Sequence, residues 1–253
     1  MKSTISIEVI NQNDITSVAR NSRTKVISAL LRNELEPSLG LTGSGQDVSI
    51  MRSTLIKTGI LADATGTPYV ELHPENVYMC HLMDEITAFI MDARTNGRIC
   101  FSDLYHRLCS PDNHIGLRKG LIPIYLAAAF HVYKKELIIE DRHMQVPLTA
   151  DLLLQINANP AAFHLAYLNW DPEKEAFVHQ LEQLFGRNII NAEKAVNSYD
   201  YVVSAMKRWY MALPKYAKNM KRTIKGKNVD ERHLKLVFKI RNSTKTADHG
   251  MCT

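Results

Sequence analysis

The segment "LIPIYLAAAFHVY", Leu121 to Tyr133, is the longest apolar run of the chain and the feature that most restricts what it can fold into. It is too short to cross a bilayer, and His131 interrupts it. The run suits an almost wholly apolar helix, because Pro123 is tolerable in a first turn, where its missing N–H leaves no bond unmade. Just ahead stands "HIGLRKG", residues 114–120. Gly116 and Gly120 predict a sharp turn through positive φ. Arg118 and Lys119 then fall at the N-terminal end of the helix, where free N–H groups favour an anion. Such a corner can meet a phosphate of nucleic acid or of a nucleotide, or it can be a solvated turn or a salt bridge to an acidic neighbour.

The flanking pattern is mostly helical. Val18, Val26, Ile27, Leu30 and Leu31 share one face of a first helix, and "EPSLGLTGSGQD" breaks it. "VSIMRSTLIKTGIL" predicts a second helix capped at Gly59, followed by a loop with a short strand at Tyr69 to Leu72. Val77, Leu82, Ile86 and Ile90 form the stripe of a third helix, stopped by Asn96 and Gly97. "CFSDLYHRLCS" is a short helix with Ser102 as candidate N-cap. After the corner and the apolar helix, "ELIIEDRHMQVPLT" reads as two strands around a charged tip, Asp141 to His143. A helix then starts at Thr149 and ends before Pro160. Helix, turn, helix, hairpin, helix is the order of a winged-helix unit. The expected class is therefore mainly α, with a central winged-helix-like unit at 74–160. An N-terminal helical segment (1–73), a C-terminal helical segment (161–222) and a basic, flexible tail (223–253) complete the expected organisation.

Three apparent chemical motifs fail on their details. Gly40 to Asp47 has the glycine spacing of a P-loop, but Gln46 and Asp47 stand where Lys and Ser/Thr must hold phosphate and magnesium. His106, Cys109 and His114, with Cys100 nearby, match no closed tetrahedral zinc spacing, and Cys80 beside His81 is weaker still. The acidic groups Glu71, Asp84 and Glu85, or Asp171, Glu173 and Glu175, sit at helix starts or on polar faces, as helix dipoles favour. No catalytic residue, metal or cofactor is assigned.

Charge is distributed unevenly. The net charge is +5, yet Lys207 to Lys245 contains 13 Lys or Arg against Asp230 and Glu231 alone. Lys207, Arg208, Lys215, Lys218 and Lys221 interleave with Trp209, Tyr210 and Tyr216, a pattern suited to single-stranded nucleic acid. Trp209, Leu213 and Tyr216 equally fit a buried helical stripe. The start "MKSTISIEVINQND" lacks the apolar region of a signal peptide, and four irregularly spaced cysteines suit a reducing compartment. A cytoplasmic protein with no membrane segment is expected.

Three phrases together carry a resemblance: "LGLTGSGQDVSIMRSTLIKTGIL", "GLRKGLIPIYLAAAF…ELIIEDRHMQVPLTADLLLQINANPAAFHL" and "MKRWYMALPKYAKNMKR". In that order they resemble the region downstream of the ATPase module in very large bacterial P-loop ATPases, some found near phage-defence genes. The resemblance spans roughly residues 18 to 222. These 253 residues hold no Walker A lysine loop, so ATP hydrolysis does not carry over, and the chain reads as a piece of such a protein. The resemblance implies a non-catalytic, nucleic-acid-binding or regulatory segment of a large P-loop ATPase. Arg118, Lys119, Lys134, Lys135, Arg142 and His143 would then contact double-stranded DNA. Ile124, Tyr125, Ala127 and Ala128, the positions able to reach bases, are apolar, so binding would be independent of sequence. The alternative is a helical interaction module that docks on a P-loop ATPase partner without binding DNA.

Overall fold

The computed structural model describes residues 10–64, 66–169, 171–190, 193 and 200–218. The expected tail at 223–253 lies outside them. The described residues are mostly helical, 60% helix and 11% strand, and the chain divides into two compact units between residues 170 and 171.

The first unit begins with α1 (Ser17–Leu30), whose N-cap Thr16 accepts a bond from the Ala19 N–H. A connector leads to α2 (Gln46–Met51), which continues through one wider turn (Arg52–Ile56) and stops at Gly59, φ 78°. A hairpin, β1 (Leu61–Ala64) with β2 (Thr67–Val70), spans the end of the expected helix and the first part of the loop expected at 62–76. Next comes α3 (Val77–Asn96), capped by Asn76, whose side chain accepts from the Tyr78 and Met79 N–H groups. Its buried stripe is Met79, Leu82, Met83, Ile86, Phe89, Ile90 and Ala93, whereas Val77 is 83% exposed. Val77 is the first helical residue, ahead of the turns that pack.

After β3 (Ile99–Cys100), α4 (Phe101–Cys109) starts from Cys100, so Ser102 lies inside the first turn instead of capping it. The corner follows, then α5 (Ile122–Tyr133), β4 (Leu137–Asp141), β5 (Met144–Val146), α6 (Ala150–Ala158) and β6 (Phe163–Tyr167). Thr149 caps α6 through the Leu152 N–H at 3.1 Å. Every residue of α5 from Ile122 to Phe130 is buried. A helix apolar on all sides has no face to give to water, and α5 packs against α1, α3 and α6 at the centre of the core. Phe101 joins three helices there, with ring centroids 5.4 Å from Phe89 and 6.1 Å from Phe130. Each such buried side chain stabilises the fold by about 1.5–3 kcal/mol.

The predicted hairpin is present as β4 and β5, turning at Arg142 and His143. It belongs to a four-stranded antiparallel sheet of order β3-β6-β4-β5. Leu165 of β6 stands opposite both Ile99 and Ile139, and Leu137, Ile139, Phe163 and Leu165 turn inward. The period-two pattern of β6 is only five residues long, and the sequence reading placed it in a helical segment. Val26, Ile27 and Leu30 of α1 share one core with α3 and α5, and β6 completes the sheet begun by β3 and β4.

In the second unit, Asp171 caps α7 (Pro172–Phe185) through the Lys174 N–H at 2.8 Å. Phe185 meets Trp209 of α8 (Asp200–Ala212) edge-on, centroids 5.4 Å apart. Tyr201, Val202, Ala205 and Tyr210 are buried, but Tyr216 is 76% exposed and does not join the stripe expected with Trp209. Arg208 is not a free cation: its guanidinium donates twice to Glu193 at 2.7 Å and once to the Asn188 carbonyl.

Candidate nucleic-acid interface

The corner between α4 and α5 is built from both sides. His114 (φ 59°) and Gly116 (φ 58°) adopt left-handed backbone, which reverses the chain. Ile115 and Leu117 are buried anchors between exposed neighbours. The Leu117 N–H donates to the Leu108 carbonyl at 2.8 Å, and the Tyr78 hydroxyl donates to the Ile115 carbonyl. His81 donates through Nε2 to the Asn113 carbonyl at 3.0 Å. Gly120, expected at positive φ, is not among the positive-φ residues. Close approach explains it instead: a Cβ there would lie 2.1 Å from the Ile10 carbonyl oxygen and 2.6 Å from that of Gln12.

That approach also changes the expected anion site. The Gly120 N–H donates to the Gln12 carbonyl at 2.9 Å, and the Lys119 N–H to Asn13 Oδ1 at 3.4 Å. Leu121 and Ile124 donate to the Arg118 and Leu121 carbonyls. The segment 10–13 thus takes donors that the sequence left free for a phosphate. What remains exposed at the corner is the pair of side chains, Arg118 and Lys119.

Beneath the corner lies a residue that the sequence reading missed. Arg23 of α1 is only 4% exposed and donates through Nη1 to the Gly120 carbonyl at 2.9 Å. Among the described residues its Nε has no hydrogen-bond partner, and the buried hydroxyls of Tyr105 and Tyr125 have none either. Burial lowers the Arg23 pKa to about 10, against the pull of Tyr105, and burial raises both tyrosines far above their ordinary value. Position 23 falls on the helical face of Ala19, Val26 and Leu30, so its inward direction was readable from spacing.

The other predicted positions do not gather around this corner. Lys134 and Lys135 follow the C-terminal end of α5, about 18 Å along the helix from its start at 1.5 Å per residue. Lys134 donates to the Arg32 and Asn33 carbonyls just beyond the end of α1. Burial first, then Lys135, lowers its pKa. Lys135 is exposed. Arg142 and His143 lie at the far end of β4, at φ 47° and 68°, the two-residue hairpin turn that glycine and asparagine normally occupy. Both are exposed. Ile124, Tyr125, Ala127 and Ala128, taken as positions able to reach bases, are fully buried.

An open groove of about 630 Å³ is lined by Met91, Arg94 and Thr95 of α3 with Glu136, Tyr167 and Asn169. Arg94 spans it, 5.6 Å above the Tyr167 ring and bonded through Nε to Asn169 Oδ1. This ties the guanidinium to the groove wall and forms no acid–base pair. His106, Cys109, His114 and Cys100 form no ligand group among the described residues; His73, Cys80 and Asp84 do. Among the described residues no helix is long and apolar enough to cross a membrane. No protein-family model, curated protein or solved structure matches this chain.

Proposed function

We propose that this chain is a non-catalytic segment that holds the phosphate backbone of double-stranded DNA without reading its sequence. The observation that carries this reading is the corner. The Gly120 and Lys119 N–H groups donate to Gln12 and Asn13, and Arg23 donates to the Gly120 carbonyl, which fixes the corner's backbone, while Arg118 and Lys119 point their charge to solvent with no partner among the described residues. Cations on a fixed backbone lose little freedom on meeting a phosphate. The exposed hairpin tip, Arg142 and His143, supplies a second contact. The central unit is read as winged-helix-like from its helix, corner, helix, hairpin order, with β6 inserted between β3 and β4 as its departure. With α5 buried, the helix that follows the corner cannot enter a groove, so contact at the corner stays with the backbone. By its sequence phrases, the segment belongs beside the ATPase module of a large P-loop ATPase, in phage defence or a related task.

A second reading has its own support. Val18, Val77 and Met144 are 65%, 83% and 71% exposed in the first unit, apolar side chains that a docked partner would cover. In this reading the helices dock on the ATPase module and DNA is not bound.

Anisotropy of labelled duplex DNA across a salt series separates the two. Phosphate contact predicts affinity that falls steeply with salt. The double substitution Arg118→Glu with Lys119→Glu removes two cations, so the log–log slope should shrink by about two. Loss of binding only in a chain ending at residue 222 would move the contact to the basic residues beyond it. No binding at low salt would overturn the DNA reading.

A further inference from the structure

Away from the corner, the start of α3 carries a group of side chains that neither reading uses. Cys80 and Asp84 are four residues apart on α3 and so project from one face, one turn above the other. The loop before the helix returns His73 to the same face. Pro74 packs on Gly59, Asn76 caps the helix, and the His73 N–H donates to Glu71 Oε1 at 2.9 Å, so the loop's path is set by its own bonds. His73 Nδ1 lies 3.0 Å from Asp84 Oδ1, and Cys80 Sγ lies 3.5 Å from Asp84 Oδ2. The imidazole nitrogen, the thiol sulfur and a carboxylate oxygen all lie within 4.8 Å of one another.

We propose that His73, Cys80 and Asp84 bind a divalent transition-metal ion, with zinc as the ion the donors fit best. A tetrahedral zinc with bonds of about 2.0–2.3 Å holds its ligand atoms about 3.3–3.7 Å apart. The Cys80–Asp84 separation of 3.5 Å falls inside that range and the His73–Asp84 separation of 3.0 Å just below it, each to a different carboxylate oxygen, so a small rotation of exposed side chains brings the three donors onto one ion. One sulfur, one nitrogen and one oxygen select a borderline ion; magnesium and calcium prefer all-oxygen sites. Charge balances as well. A thiolate and a carboxylate together neutralise a divalent ion, with the imidazole neutral and the thiol proton released on binding. Glu71 holds the His73 backbone and stands near the sulfur without being required as a ligand. With three protein donors and His73 67% exposed, the fourth position faces water.

Cobalt(II) added to the full reduced chain tests the site, because tetrahedral cobalt bound to thiolate gives intense visible bands and a sulfur-to-metal band in the near ultraviolet. The expected result is a one-to-one titration with both bands, reversed by zinc. The sulfur band should vanish in Cys80→Ser and the visible bands should collapse in His73→Ala and Asp84→Asn, with the far-ultraviolet helix signal unchanged. Cys109→Ser should leave both bands in place. Absence of the bands in the parent chain would overturn the proposal, as would bands that survive in Cys80→Ser, since the ion would then sit on another cysteine.

Discussion

At the scale of single residues, two positions decide how the corner and its surroundings behave. Gly120 is required by contact and not by φ, so Gly120→Ala should drive its Cβ into the Ile10 and Gln12 carbonyls. Overpacking of this kind costs about 1–3 kcal/mol. It should appear as a lower urea midpoint with an unchanged slope. His131, the polar residue in the apolar run, donates through Nδ1 to the Leu30 carbonyl at 2.7 Å. Burial first, then Lys134, lowers its pKa, while the Leu30 and Arg32 carbonyls pull the other way. A base whose pKa is depressed by folding binds more protons when unfolded. Its stability contribution is therefore complete above the ordinary histidine pKa and falls as the pH drops through it. The melting temperature should be lower at about pH 5 than at about pH 7. His131→Gln should shrink that difference without abolishing it, because burial also lowers His164.

Among the elements, α5 is the most constrained. Ala127, Ala128 and Ala129 are consecutive and all fully buried or nearly so, whereas on an amphipathic helix one of three successive positions would face solvent. Ala128→Leu and Ala127→Leu should therefore both destabilise, by about 1–3 kcal/mol each. Thermal or urea unfolding of the two variants checks this; tolerance at either position would mean α5 has an open side. The same burial removes α5 from any part in reading bases, so the proposed DNA contact falls to the loops at its ends. The hairpin tip belongs to these loops, and two non-glycine residues at positive φ are held there by the register of β4 with β5.

For the molecule as a whole, the position of the unit boundary has a direct consequence. β6 pairs with β3 on one side and β4 on the other. A chain ending at residue 160 loses that strand and leaves two separated edges, and it should show no cooperative unfolding transition. A chain ending at residue 170 keeps the core of the first unit and should unfold in one step. Circular dichroism through a urea series distinguishes them.

Local signals settled much of this fold by themselves. The apolar stripes gave α1, α3 and α6, the caps at Thr149 and Asp171 were readable as residue types, and the charged tip at Asp141 to His143 marked the hairpin. Each depends on neighbours within about four residues, the range over which helix and turn chemistry acts. Partners distant in sequence were decided by tertiary structure alone. β6 is a strand because β3 and β4 offer it two edges, and Gly120 is glycine-dependent because residues 10–13 cross it. Lys134 reaches back to the chain just beyond α1, 101 residues away from it at Asn33. His73 joins Cys80 and Asp84 only after the loop folds back on α3, because spacing along a chain fixes a distance only within a regular element. The sequence determined that Arg118 and Lys119 would stand at a helix start; the fold decided that the Lys119 and Gly120 N–H groups there were already taken.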